Sequence, residues 1–141
     1  MTPASRRITP VELSAALNLR ELQRYLGRIG DRWPLRMVLL SGARVAEMRT
    51  GAPLPLEERG HEYVVVLVSE GFDGMPWLER VHQASALWDA LEMGAGADVH
   101  CFTPAEYLRR RDATPVIRTA AERGLLLYAD TEPFATASSE P

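Results

Sequence analysis

The chain has a single cysteine, no lysine, and no apolar run long enough to cross a bilayer. One thiol, Cys101, excludes an internal disulfide framework and any zinc cluster built on the cysteines of one chain. A membrane span needs roughly 18 to 20 consecutive apolar residues, and nothing here approaches that. The opening "MTPASRRITP" is basic but has no apolar stretch behind it, so a cytoplasmic protein is expected. Charge of one sign is also scarce. A formal net charge of -3 and a pI near 5.6 give no global attraction to nucleic acid or anionic lipid, so any nucleic-acid contact would be local to the arginines, which make up all sixteen basic residues. What remains, 46% hydrophobic and 25% charged residues over 141 positions, is the make-up of one domain with one core.

The chain's punctuation is clear. Thr9-Pro10 with Glu12, Thr103-Pro104 with Glu106, and Thr114-Pro115 each place a threonine cap before a proline at the first helical position. Behind the first of these, Ala15, Leu19, Leu22, Leu26 and Ile29 form one apolar stripe, with Asn18 as an internal restart and Gly27 and Gly30 as the expected stop. A short, continuously apolar run closed by a Gly turn suits a strand over 36–41 buried on both faces. Two prolines, two glycines and several charges make residues 45–60 read as a long loop with at most one helical turn. The β-branched run of "EYVVVLV" marks the next strand, at 62–68.

The second half repeats the alternation. Trp77, Val81, Ala84, Trp88 and Leu91 form a helical stripe over 76–93, with both tryptophans facing inward, and "GAG" stops it. A third strand follows at 97–102, then the two Thr-Pro helices, Gly124 as a stop, and a short strand "LLLY". The plan is α/β or α+β with a small mixed central sheet, because the helix between the second and third strands requires those two to run parallel. Residues 1–128 are expected to form a single domain and 129–141 a flexible tail.

The residues then carry a resemblance. A strand leading into Gly42, Ala43 and Arg44, a second β-branched strand, and "ADVHCFTPAEYLRRRDATPVIRTAAERGLLLY" together resemble the minimal nucleotidyltransferases of the DNA polymerase beta superfamily. This is the small bacterial kind that includes the antitoxin partners of HEPN toxins. In that family a strand runs into Gly-Ser-Arg, a second strand opens with two aspartates one residue apart, and a third carries another aspartate. The carboxylates hold magnesium, which neutralises a triphosphate, and the Gly-Ser turn lets the backbone approach the phosphates.

Laid on that pattern, Gly42 matches the glycine, Ala43 stands where serine is expected, and Arg44 matches the arginine, so the turn is vestigial. One register puts His61 and Tyr63 at the paired aspartate positions; sliding by one gives Glu62 and Val64. Asp98 matches the third aspartate. Either register leaves at most one of the two paired carboxylates, and the resemblance therefore implies a degenerate site and no resident cofactor. The expected function is a catalytically inactive, regulatory module that binds a protein: a HEPN-type protein, another regulator, or its own copy. The alternative is an active enzyme, using magnesium and a nucleoside triphosphate through Glu62 or Glu70 with Asp98, or a nucleotide sensor using Gly42 and Arg44.

Bland readings stand beside these. Adjacent His61 and Glu62 point to opposite faces of a strand, which argues against a metal cluster with His100. His82 sits mid-helix, Cys101 is a small buried hydrophobe, and Arg109, Arg110, Arg111 and Arg118 form a solvated face. Met48, Leu54 and Leu56 in the proline-rich loop are the expected partner-binding residues, since leucines between prolines are poor loop residues unless something covers them.

Overall fold

The fold is described from a computed structural model covering residues 17–130. The helix start expected at Thr9-Pro10, Ala15, and residues 131–141 of the tail expected at 129–141 lie outside the described residues, while Ala129 ends the last strand and the Asp130 N–H donates to the Arg36 carbonyl. Among the described residues, six α-helices and four strands run in the order α1 (Leu19–Arg32), β1 (Leu35–Ser41), α2 (Ala43–Thr50), β2 (Tyr63–Ser69), α3 (Trp77–Ala86), α4 (Ala90–Met93), β3 (Ala97–Phe102), α5 (Pro104–Arg110), α6 (Pro115–Arg123) and β4 (Leu125–Ala129). Single 3₁₀ turns occupy Leu56–Glu58 and Glu70–Phe72.

The sheet has the order β3-β2-β1-β4. Strand β1 pairs antiparallel with β2 and β4, and β2 pairs parallel with β3. The three expected strands therefore share one mixed sheet, and its parallel pair is the one bridged by helix. Side chains alternate along each strand, so every central strand feeds two cores. Val38, Leu40, Val65, Leu67, Val99 and Cys101 pack with Leu22, Tyr25 and Ile29 of α1. Met37, Leu39, Val66, Val68 and Phe102 pack with Tyr107 of α5 and Ile117 and Ala120 of α6. Burial on both faces is why these strands read as unbroken apolar runs.

Local signals set several boundaries as expected. Asn18 caps α1 by accepting from the Glu21 N–H, and Thr103 with Glu106 forms a full capping box on α5. Thr114 precedes α6 without a side-chain cap bond.

Four expectations are corrected. Gly27 and Gly30 do not end α1, which runs on to Arg32. The amphipathic stripe and tertiary packing outweigh the modest cost of helical glycine. Residues 45–60 are not all loop, because α2 starts directly after Gly42 and lasts to Thr50. The helix expected over 76–93 breaks after Ala86 and restarts at Ala90, where Asp89 caps α4 by accepting from the Glu92 N–H. That break lets Trp88 turn inward between Tyr25 (centroids 5.1 Å) and Tyr63 (5.3 Å), while Leu91 is left 95% exposed. Trp77 does not face fully inward either. It is 43% exposed and lies against Phe102 at the sheet edge.

The position that α3 buries most deeply among its polar residues is Arg80, unannounced by the apolar stripe. Its guanidinium donates to the carbonyls of Met75 (3.0 Å) and Cys101 (3.3 Å) and to the Glu106 carboxylate (2.6 Å). Burying a charge is tolerable only when it is paired and hydrogen-bonded in this way. Glu106 thus serves the α5 cap and the α3–β3 junction together.

Two glycines give opposite predictions. A Cβ on Gly27 would meet nothing within 4 Å, so Gly27→Ala should stabilise the chain by about 0.5–1 kcal/mol. A Cβ on Gly124 would fall 2.4 Å from the Ala120 carbonyl oxygen and 2.9 Å from that of Leu40, so Gly124→Ala should lower stability. Thermal unfolding of the two variants, with midpoints moving in opposite directions, is the check.

Candidate functional site

The site grows from the turn between β1 and α2. Gly42 has φ 110° and ψ -178°, a region that favours glycine, and an added Cβ would stand 2.6 Å from the Glu62 carbonyl oxygen and 2.8 Å from Tyr63 Cα. Both constraints demand glycine. The close approach is bonded: the Ala43 N–H donates to the His61 carbonyl (2.9 Å) and the Arg44 N–H to the Glu62 carbonyl (3.2 Å). These amides open α2, where a helix offers unpaired donors to an anion. Here the chain's own backbone takes them. Ala43 brings no hydroxyl, but Ser41 carries one a step earlier, at the end of β1 and only 7% exposed.

The start of β2 settles which residues face Asp98. Tyr63 pairs with Ala97 and Val64 with Asp98, so Tyr63 and Asp98 lie on opposite faces of the sheet. Tyr63 is buried, donates its hydroxyl to the Met93 carbonyl (2.8 Å), and has its phenol pKa raised by burial. Val64, and not Tyr63, therefore shares the face of Asp98. His61 does come to it. Its Nε2 lies 3.6 Å from Asp98 Oδ2, and His100 Nε2 lies 2.7 Å from the same oxygen. His100 is the member of this cluster that the sequence placed only in a metal set with His61 and Glu62; alternation along β3 puts it on the face of Asp98.

Glu62 is committed elsewhere. It accepts from Arg44 Nε (2.9 Å) and from Arg59 Nε (2.8 Å) and Nη2 (2.7 Å), and Arg59 also binds Glu47. Arg44 lies over the Tyr63 ring and donates onward to the Gly94 carbonyl (3.2 Å). Glu47 accepts the Leu54 N–H as well (2.8 Å). The hydrogen bonds from Arg59, then from Arg44, hold the Glu62 carboxyl down at about 2, and Arg59 likewise lowers Glu47. This chain of charges ties α2, the segment after it and the head of β2 into one unit.

The residues present do not fit a magnesium site of the kind the resemblance implies. The second paired position is an apolar Val64, the first is bound by two guanidiniums, and Asp98 is bonded to imidazole. Hard magnesium ions require oxygen ligands with free lone pairs in octahedral array. Glu70 cannot substitute: it pairs with Arg36 (3.4 Å) and opens the 3₁₀ turn beyond the far end of β2, roughly 20 Å along the strand from the level of Asp98.

The other singled-out residues separate. Met48 is 9% exposed and belongs to the core, so it is not a surface residue; an α-helix where a loop was expected turns it inward. Leu54 is half-buried beside α2, and Leu56 is 83% exposed on the 3₁₀ turn. His82 is exposed on α3, and Cys101 is fully buried. Arg109 and Arg110 are exposed, while Arg118 donates to the Asp112 carbonyl.

Four strands in this order, with helices on both faces and a Gly turn feeding a short helix, define a nucleotidyltransferase-like fold. A solved structure from Sulfolobus solfataricus, described as a "putative nucleotidyltransferase", superposes with a TM-score of 0.50 over 81% of this chain and 82% of that one, at 15% identity. At that identity the likeness is one of fold. No family model and no curated protein matches the chain. Among the described residues no helix is long and apolar enough to cross a membrane.

The charge network generates a pH prediction. Folding lowers the Glu62 pKa from 4.5 to about 2, so its contribution is fully present above the unfolded value and fades as pH falls from there toward 2. The stability gap between the native chain and Glu62→Gln should be constant near neutrality and close across that acid window. Urea unfolding from pH 2 to 7 reads it directly. A gap that persists at pH 2 would contradict the assignment.

Proposed function

We propose that this chain is a catalytically inactive nucleotidyltransferase-like protein that acts by binding another protein, in a regulatory role of the antitoxin type. The observation that carries the proposal is the pairing of Val64 with Asp98, which leaves a valine where metal-dependent nucleotidyl transfer needs a second carboxylate. Two further features support it. The first amides of α2 are bonded to the backbone of His61 and Glu62, and Arg44 and Arg59 are spent on Glu62 and Glu47, so a triphosphate would find none of these donors free. The fold itself is intact.

The partner surface in this reading centres on Leu56. It is the exposed large hydrophobic residue of the segment after α2, carried on a one-turn 3₁₀ element whose preceding Pro53 and Pro55 limit the freedom lost on binding. The charge network holds the ends of that segment against α2. The resemblance makes a HEPN-type protein the first partner to test, with a second copy of the chain next.

Two measurements test the reading. Incubation with magnesium and radiolabelled nucleoside triphosphates should label neither the chain nor a co-purifying protein; magnesium-dependent transfer that survives repurification and is lost in Asp98→Ala would overturn it. Leu56→Ser should weaken association with a purified partner about tenfold or more, the size of an interface anchor, while the thermal midpoint moves by less than about 2 °C. Unchanged affinity, or unfolding of the variant, would remove Leu56 from the interface.

A further inference from the structure

Beside Gly42 a cavity of about 600 Å³ opens between α2, the segment 54–61 and α6. This is within the size range of pockets that enclose small molecules. Its walls are mostly aliphatic, with Val45 and Ala46 from α2, Leu54, Val64 from β2, and Val116 from α6. The other side-chain donors of the lining, Arg49, Thr50, Arg59, His61, Thr119 and Arg123, are not buried, and they stand toward its mouth.

One polar group faces the cavity from deep within it. Ser41 is 93% buried and lies on the cavity wall, and its hydroxyl makes no hydrogen bond with another described side chain or backbone group. The hydroxyl oxygen stays accessible from the cavity, so it is free to bond whatever occupies that space. Its face is fixed by the sheet, because Ser41 pairs with Val64, which lines the same cavity. The hydroxyl therefore stands one residue before the turn, where it addresses the cavity and not the first amides of α2.

The charged groups around the mouth do not favour an ion. Arg59 is neutralised by Glu47 and Glu62, and Arg49 donates to the Gly124 carbonyl (2.8 Å). Exposed Glu58 and Glu122 sit beside exposed Arg123 and Arg49, so the two signs offset each other. We infer that the cavity is a binding site for an uncharged, largely apolar small molecule with one hydrogen-bonding group, received by Ser41. This rests on the reading above that the site no longer holds a nucleotide, and it adds a ligand class to that reading: the occupant would fill the space between α2 and the Leu56 segment and could couple its presence to partner binding there.

The test is an amide NMR titration of the full chain with 2-naphthol, a neutral bicyclic probe with one hydroxyl. Saturable shifts should concentrate on Ser41, Ala46, Val64 and Val116. Ser41→Ala should weaken binding about fivefold, the worth of one hydrogen bond, and naphthalene should bind the native chain and Ser41→Ala alike. Ala46→Phe, which fills the cavity, should abolish saturation; its folding is checked by the unchanged spectrum of the opposite core around Tyr25. Shifts that fail to saturate, or that gather on exposed Leu78 and Leu91, would overturn the inference. A parallel titration with magnesium-ATP separates the two proposals. Binding of ATP at these residues without turnover overturns the ligand class alone, and label transfer overturns the inactive reading as well. Failure of both probes sinks the cavity site and leaves the inactive reading standing.

Discussion

Two backbone carbonyls at the head of β2, those of His61 and Glu62, bond the first two amides of α2, and the geometry of the whole neighbourhood follows from that contact. The approach is possible only because Gly42 has no Cβ, since any larger residue would meet the Glu62 carbonyl. With the turn clamped in this way, β1 delivers Ser41 to one side, α2 leaves at once on the other, and the segment after α2 must return within reach of Glu62. A contact that closes the donors of a helix end also removes the means by which such an end holds an anion.

Around this clamp the charges are arranged to satisfy one another and not a ligand. Arg59 spans Glu47 and Glu62, Arg44 spans Glu62 and the Gly94 carbonyl, and none of these side chains is deeply buried. Ion pairs near the surface are screened by solvent and add little to stability, so their role is better described as fixing the path of the segment than as holding the fold together. Stability lies in the two apolar layers above and below the sheet, and the buried Arg80 with Glu106 pins their edge.

The fold was legible where the signal was local or periodic. The β-branched run of β2, the capping box of Thr103 and Glu106, and the cap at Asn18 need only a few neighbouring residues to declare themselves. Features that depend on distant partners were not. Helix α2 has a weak apolar pattern and is fixed by Gly42 meeting β2, so it read as loop. A helix whose stripe looked continuous ends at Ala86 and restarts under the Asp89 cap, and the gain is Trp88 between two tyrosines that come from other elements. Which residue of β2 meets Asp98 was open between Tyr63 and Val64, because sequence alone does not give the pairing of distant strands; pairing with β3 makes it Val64. Arg80 was invisible for the same reason: its partners are a carbonyl on β3 and a carboxylate on α5.

The lone cysteine takes on a different meaning once its place is known. Cys101 lies on β3 in the layer shared with Tyr25, fully shielded from solvent, and burial pushes its thiol up to about 12. Because the thiolate is the nucleophile, the folded chain is close to inert toward alkylating reagents at neutral pH. Reaction at this sulfur requires the sheet to part from α1, so the speed of labelling records how often that layer opens. The protein thus carries a single natural reporter of its own large-scale fluctuations, read without adding any group to it.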